Sequence, residues 1–299
     1  MHASSGVQKE TSLAFGGQAV LEGVMIRSST HMVTSVRQPN GEILTMTEKI
    51  APFSKRHRVL NLPFIRGIPA LFETLYLGVK SLFLSANVVL EEEGEKITYK
   101  EVAFTILMII GIASFFIVVP LLLTAMLPFT GVLFNIVEGG VRLTIFLIYL
   151  KVVSLWGEYK RVLQYHGAEH KTINALEAGE SLNIQNVKRF SRRHSRCGTT
   201  FIFIIALVSI IIFSIMPNQT LLERLIYRLV FVPVISAISY EILKFSDRHR
   251  DSKIIKVLLT PGLRLQNLTT KEPDDDMIEV AVKAVEEVYK LREKSSSNS

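Results

Sequence analysis

The stretch Tyr165-His166-Gly167-Ala168-Glu169-His170-Lys171 lies in a polar segment between two pairs of long apolar runs. On a helix, His166 and His170 are four residues apart and share a face, and Glu169 lies beside them. The order H-x-x-E-H is that of inverted zinc hydrolases, in which two imidazoles bind the metal and the carboxylate activates a water molecule. The stretch therefore predicts where the functional site lies and that its chemistry depends on a metal, but it does not predict the substrate.

A second group of metal-competent side chains follows in the same segment. His194 and Cys197 lie within Arg192-Arg193-His194-Ser195-Arg196-Cys197-Gly198, and imidazole and thiolate are ligands that suit zinc. Together with His166 and His170 they are four predicted ligands for one divalent metal ion, zinc above others. If all four bind, the zinc site is closed and structural. If three bind, the open position holds water and favours hydrolysis.

Two carboxylates are candidate catalytic bases for such a water molecule. Glu169 belongs to the histidine motif. Glu22 lies in the glycine-rich stretch Phe15–Arg27, whose glycines indicate backbone held close to another part of the chain. Glu22 is therefore predicted as an additional ligand or base.

Cys197 also has two interpretations that do not involve a metal. Arg193 and Arg196 would stabilise its thiolate, and His194 could act as a base, which is the setting of a nucleophilic cysteine. Alternatively, Cys197 is a small residue at the start of a membrane helix, and the arginines bind lipid phosphates. For the arginines, the lipid interpretation is favoured.

The composition favours a membrane protein. Of 299 residues, 48% are hydrophobic, and the net charge of +7 is modest, which suits cytoplasmic loops better than nucleic-acid binding. No aromatic and basic pattern typical of a nucleic-acid-binding module occurs. One cysteine excludes an intrachain disulfide, and residues 1–18 lack the apolar core of a signal peptide.

Four apolar runs predict a mainly α membrane protein with four transmembrane helices in two hairpins. The runs are Val102–Leu127, Val132–Trp156, Thr199–Met216 and Leu225–Leu243, the last bent near Pro233. Tight turns at 128–131 and 217–220 join them in pairs. Glu138 and Arg142 stand four residues apart in the second run, and their pairing indicates either a functional site or an orienting contact.

Charge predicts the orientation of these helices. Neither tight turn contains lysine or arginine, whereas the segment 157–198 is rich in both: Lys160, Arg161, Lys171, Lys188, Arg189, Arg192, Arg193 and Arg196. By the positive-inside rule, this segment and both termini face the cytoplasm.

The N-terminal part predicts a small β-rich unit over residues 16–49. The runs Met32–Arg37 and Glu42–Lys49 flank Asn40-Gly41, a strong hairpin signal.

The helix that follows, Pro63–Leu90, carries Arg66, Glu73 and Lys80 at seven-residue intervals. This polar stripe favours a helix on the membrane surface or against other helices, with a crossing helix as the alternative.

Two helices are predicted outside the membrane. Lys160–Ala178 ends at Gly179, and an amphipathic C-terminal helix, capped by one of Asp274 to Asp276, runs to Leu291. Its apolar positions include Ile278, Val282, Val285 and Val288. Residues 258–273 are predicted to be turn-rich and to pack on the cytoplasmic side.

The chain is accordingly divided into six segments: an N-terminal β-hairpin unit (1–62), an amphipathic interfacial helix (63–97), a first transmembrane hairpin (98–156), a cytoplasmic metal-motif segment (157–198), a second transmembrane hairpin (199–243) and a cytoplasmic tail (244–299).

Four blocks resemble the YqhQ-like family of bacterial multi-pass membrane proteins, which are of unknown function and are described as predicted metal-dependent enzymes. The blocks are Gly16–Arg27, His166–Lys171, His194–Thr199 and Pro261–Gln266. The resemblance spans nearly the whole chain and implies a bacterial inner or plasma membrane location. The likeness to inverted zinc proteases is local, so their activity does not carry over.

Two functions are predicted. The first is a metal-dependent membrane enzyme, hydrolytic, with its site at the cytoplasmic membrane interface. The alternative is a non-enzymatic factor that aids assembly, quality control or regulation of membrane proteins, with a structural metal or none. The expected partners are the lipid bilayer, other membrane proteins or a second copy of the chain, and no nucleic acid. A transporter is less favoured, because four crossings would need oligomerisation to form a path.

Overall fold

The computed structural model describes residues 15–51, 58–91, 98–216, 219–250 and 252–297. They form a mainly helical protein with an N-terminal sheet. A short 3₁₀ helix, Arg58–Asn61, precedes the first long helix. The α-helices are α1 Gly67–Glu91, α2 Tyr99–Ala125, α3 Gly131–Leu155, α4 Gly157–Glu177, α5 Ile184–Lys188, α6 Gly198–Ser214, α7 Leu221–Val230, α8 Val232–Arg248, α9 Lys253–Thr269 and α10 Asp275–Ser297.

The sheet is a four-stranded antiparallel meander in the order β1-β2-β3-β4. Its strands are β1 Gly16–Val20, β2 Gly23–Arg27, β3 His31–Arg37 and β4 Ile43–Lys49. Arg37 pairs with Ile43 across the last turn, where Gly41 has a φ of +88° that favours glycine. The predicted β-rich unit and its hairpin are therefore confirmed.

Helices cover both faces of this sheet, because alternate residues of a strand point to opposite sides. On one side Val20, Met25, Met32 and Val36 pack with Leu77 and Val88 of α1. On the other side the core joins β2 and β3 to α4 and α10 through Val24, Ile26, Val33, Tyr165, Ala168, Ile278, Val285 and Val288. The amphipathic C-terminal helix was correctly predicted, and its apolar face fills this core.

The remaining helices pack on one another. α3 lies between α2 and α6, and α6 also contacts α8 and α9. Helices α3 and α6 approach each other closely at Gly139. A Cβ atom added there would lie only 2.2 Å from Cγ1 of Ile210. Such small-residue contacts are typical of helices packed in membranes.

Two helices, Gly67–Leu90 and Tyr99–Ala125, are long and apolar enough to cross a membrane by length and composition. The polar stripe predicted along α1 is paired within the protein. Arg66 Nη2 lies 2.6 Å from Glu241 Oε2 of α8, Arg27 binds Glu73, and Lys80 binds Glu48. The polar side of α1 therefore faces the sheet and α8.

Two helix predictions were wrong in detail. The run Leu225–Leu243 is two helices rather than one bent helix, with the break at Phe231. Pro233 lies in the first turn of α8, where its missing N–H has no intrahelical partner to lose.

Residues 258–273, predicted to be turn-rich, belong largely to α9, which continues through Pro261. Ile255, Leu259, Gly262 and Gln266 are buried along one face of α9. This periodicity lets α9 bury a continuous face against α6. The free energy gained by that burial exceeds the local cost of proline in the helix.

Candidate metal centre

Helix α4 carries the histidine motif. It runs from Gly157 to Glu177, close to the predicted limits, and Gly179 follows with a φ of +76°, as is common just after a helix end. The spacing of four residues directs His166 and His170 to the same side, and their ring centroids lie 4.4 Å apart.

Cys197 completes a group of three possible metal ligands. It lies directly before α6, and its Sγ is 3.4 Å from Nε2 of His166. The ligand atoms of His166, His170 and Cys197 all lie within 4.8 Å of one another. Tetrahedral zinc with its usual bond lengths holds such atoms roughly 3.3–3.7 Å apart, so small side-chain movements suffice. This buried group could hold a metal ion.

Backbone carbonyls orient both imidazoles. Nδ1 of His166 lies 2.8 Å from the oxygen of Thr269, and Nδ1 of His170 lies 2.7 Å from the oxygen of Arg192. Because a carbonyl oxygen only accepts, each Nδ1 donates its proton, and each neutral ring keeps the lone pair on Nε2. A metal-binding histidine usually has this arrangement, with its other nitrogen donating to a fixed acceptor.

Glu169 points its carboxylate at the same place. Its Oε2 lies 3.9 Å from Nε2 of His166 and 4.0 Å from Nε2 of His170. The residue is 4% exposed, and this oxygen has no hydrogen-bond partner in the described part of the chain. Burial raises the pKa of the Glu169 carboxyl to about 7, although His166 and Arg196 oppose the shift.

The glycine-rich stretch makes room for this carboxylate. A Cβ atom on Gly17 of β1 would lie 2.8 Å from Oε1 of Glu169 and 2.9 Å from the carbonyl oxygen of Met25. Contacts that short do not occur in proteins, so a side chain at this position would displace the glutamate or the strand. The close backbone approach predicted for these glycines is found at Gly17.

His194, the fourth predicted ligand, lies beside this group. Its ring centroid is 5.7 Å from that of His170, but its Nε2 faces Glu177, 3.5 Å from Oε1. Gln266 holds the His194 backbone, accepting from its N–H and donating to its carbonyl, both at 2.8 Å. Burial lowers the pKa of His194, while Glu177 acts in the opposite direction.

Glu177 is the centre of an ion-pair network around the loop that carries Cys197. It binds Arg196 and Arg250, and Arg196 also reaches Asp247 of α8. Burial alone would raise the pKa of Glu177, but His194, Arg196 and Arg250 lower it to about 2. The network fixes the loop against α4 and α8.

Glu22 has other partners. It occupies the β1–β2 turn with a φ of +49°, and its Oε1 accepts a hydrogen bond of 2.6 Å from Nε of Arg161. The hydroxyl of Tyr165 lies 3.3 Å from Oε2 of Glu22. The carboxylate is thus held in an ion pair near the start of α4.

Several residues of the site were not predicted as such. Thr269 and Arg192 contribute backbone oxygens, which no sequence pattern reveals. Gln266 lies in one of the blocks that carry the family resemblance. Glu177 had a usable signal, because it stands seven residues after His170 and therefore on the same face of α4.

A family described as "Protein of unknown function (DUF1385)" matches residues 62–291. This match covers most of the chain, including the histidine motif, Cys197 and α9. The chain belongs to this family.

One relative matches nearly the whole chain. The uncharacterized protein YqhQ of Bacillus subtilis (strain 168) is 36% identical over 308 residues, covering 95% of each chain. This agrees with the resemblance that the four sequence blocks carry. No solved structure matches this chain.

Proposed function

We propose that this protein is a metal-dependent membrane enzyme, hydrolytic, with His166, His170 and Cys197 as metal ligands. The proposal places the reaction at the cytoplasmic membrane interface, at the junction of α4, α6 and β1.

One observation carries the proposal. Two Nε2 lone pairs, the Cys197 sulfur and the unpartnered Oε2 of Glu169 converge in a buried space. Electron-pair donors so close together repel one another unless a cation or a proton lies between them. Two imidazoles and a thiolate select zinc-like ions rather than calcium or magnesium.

The chain's own residues have distinct roles in this proposal. A bound metal would supply Lewis-acid polarisation of a substrate and activation of water. Glu169 accepts the proton of that water, for which its orientation towards both histidines is suited. Thr269 and Arg192 keep the imidazole lone pairs directed inward, and Gly17 keeps the space for the Glu169 carboxylate. His194 and Glu177 position the loop that ends at Cys197.

Elemental analysis of the purified protein tests the ligands. We expect close to one zinc or iron per chain, and its loss from His166→Ala, His170→Ala and Cys197→Ala. His249→Ala is the matched control, because His249 is exposed at the end of α8. Wild-type protein without metal, or equal metal in His166→Ala and His249→Ala, would refute metal binding.

Glu169→Gln separates catalysis from metal binding. The substitution keeps the shape but removes the base, so metal content should persist while cells carrying the variant behave like a deletion strain. Normal growth of Glu169→Gln under conditions that require the protein would contradict the enzymatic role while leaving the metal site intact.

We also propose that four crossings pass through a bacterial cell membrane: α2, α3, α6 and the α7–α8 pair. Support comes from exposed apolar side chains such as Phe104, Ile211 and Leu222, which have no reason to face water in such numbers. Both termini and residues 157–198 then lie in the cytoplasm, as the distribution of lysine and arginine predicts. Cysteine-accessibility labelling at positions 130 and 180 tests this orientation.

The second candidate is a non-enzymatic membrane factor that aids assembly, quality control or regulation of other membrane proteins. It is supported by α1, whose outer side exposes Phe72, Leu75 and Tyr76, a surface that a membrane-protein partner could cover. Helix α10 gives this candidate no support, because its apolar face is buried in the core. Co-purification of a partner that is retained by Glu169→Gln and lost on Phe72→Glu would favour this candidate.

A further inference from the structure

A second buried polar cluster lies far from the histidines, between α3, α6 and α7. Glu138 accepts hydrogen bonds from Arg228 and binds Arg142. The side-chain oxygen of Asn135 accepts a hydrogen bond of 3.0 Å from Nη1 of Arg224, and its amide donates to the carbonyl of Phe213. We name Asn135, Glu138, Arg142, Arg224 and Arg228 the arginine cluster.

The charges of the arginine cluster do not balance. Three arginines surround one glutamate, and Glu138, Arg224 and Arg228 are at most 7% exposed. Within the part of the chain that the structure describes, no second carboxylate binds these arginines. Guanidinium groups remain charged in proteins, and an uncompensated buried charge is strongly unfavourable. The cluster therefore has positive charge in excess.

Hydrogen-bond donors are also in excess. Nε of Arg142 and Nε2 of Gln219 are buried and have no acceptor among the residues that the structure describes. Gln219 adjoins the cluster, because its carbonyl accepts from Nε of Arg224. A partner that matched both excesses would carry negative charge and several acceptor oxygens, as a phosphate group does.

The cluster lies next to an apolar surface. α7 turns Arg224 and Arg228 inward, while Leu222, Ile226, Leu229 and Val230 are exposed on its other side. Asn135 and Glu138 lie in the first two turns of α3, and Arg224 lies in the first turns of α7. Both helices begin at the loops that the charge distribution places outside the cytoplasm. Asn135 and Arg224 therefore lie near the depth of the lipid phosphates. The guanidinium of Arg142 reaches back to Glu138, one turn nearer the start of α3, so the cluster extends roughly 10 Å from the start of that helix into the apolar layer.

We propose that the arginine cluster is a binding site for a phosphate group, carried by a lipid headgroup in the outer leaflet or by free inorganic phosphate. Arg142, whose side chain is 18% exposed, is the arginine that the ligand reaches from the surface. Arg224 and Gln219 complete the site, and acyl chains of a lipid would lie along the apolar side of α7. This site is independent of the candidate metal centre.

Thermal unfolding of the delipidated full-length protein in detergent tests the proposal. Phosphatidic acid should raise the Tm, and diacylglycerol with the same acyl chains should not. Arg142→Gln should weaken phosphatidic acid binding about tenfold, and Lys151→Gln, which removes a lysine from the same helix, should not. Inorganic phosphate, compared with chloride at equal ionic strength, distinguishes the two sources of the group.

A variant that adds to the excess positive charge provides a second test. Glu138→Gln increases the excess of positive charge, so it should destabilise the free protein and gain a larger Tm increase from phosphatidic acid than the wild type does. Equal Tm values with phosphatidic acid and diacylglycerol, combined with no effect of phosphate over chloride on the wild type, would overturn the proposal whether or not the variants fold.

Discussion

The sheet unit, β1–β4 with α10, and the hairpin region, α2, α3, α6 and α7, are built in opposite ways. In the sheet unit Val24, Ile278 and Val285 are fully buried, and charged pairs such as Arg37–Glu279 lie at the rim. In the hairpin region the charged residues Glu138 and Arg228 are buried and apolar residues are exposed.

The difference is the one expected if the sheet unit faces water and the hairpin region faces lipid, as proposed above. A core of apolar side chains under a polar surface is what water selects. Charged residues that face inward, under an apolar surface, are typical of helices surrounded by lipid. Helix α4 contacts both β1 and α3, so the candidate metal centre stands where the two regions meet. Comparable substitutions should therefore have different consequences on the two sides.

The largest contrast is expected between two buried glutamates. Glu138→Ala should cost about 3–5 kcal/mol, because it leaves arginines buried without a counter-charge in an apolar region. Glu177→Ala should cost about 1–3 kcal/mol, because Arg250, whose side chain is 44% exposed, can turn to water. Unfolding of both variants in detergent measures the difference, and equal losses would mean that the two regions share one environment.

An intermediate contrast is expected between two exposed apolar residues. Ile110 in α2 is 56% exposed and Val59 in the 3₁₀ helix is 61% exposed. Ile110→Asp should cost roughly 3–4 kcal/mol of membrane insertion, the difference between the Asp and Ile values, whereas Val59→Asp should change stability by about 0.5 kcal/mol or less. Membrane fractionation after expression is the measurement. A soluble, stable Ile110→Asp protein would show that α2 does not face lipid.

The smallest effect near neutral pH concerns the titration of Glu177. Its pKa is about 2 in the folded protein and 4.5 in the reference state, so the folded state binds fewer protons between these values. The stabilisation is therefore complete above pH 4.5 and is lost as the pH falls towards 2. Glu177→Gln should flatten this part of the stability curve, and an unchanged acid limb would assign the transition to other carboxyls.

Structural features that depend on residues close together in the sequence could be predicted from it. The Asn40-Gly41 hairpin, the limits of α4, the inward side of α10 and the Glu138–Arg142 pair were predicted because each depends on neighbours within about seven residues. The prediction for 225–243 was wrong because Pro233 begins a new helix instead of bending one. The prediction for 258–273 was wrong because Pro261 and Gly262 were considered without the surface that their helix buries. In α9 that surface is α6, whose position in space no local pattern gives.

Some features of the candidate metal centre could likewise be predicted from the sequence, and others could not. The motif spacing alone predicted that His166 and His170 share a face with Glu169 beside them. The sequence could not show that Cys197 approaches them while His194 turns to Glu177, since that depends on how α8 and α9 hold the loop.

The sequence by itself determined which chemical groups are available and which helix carries them, because helical geometry fixes the relation of residues three and four apart. Only the tertiary structure decided that Nδ1 of each histidine is bound to a carbonyl, that Gly17 admits the Glu169 carboxylate, and that two arginines share Glu138 while a third binds Asn135. These facts depend on contacts between residues distant in sequence, and close packing fixes such contacts only after the whole chain has folded.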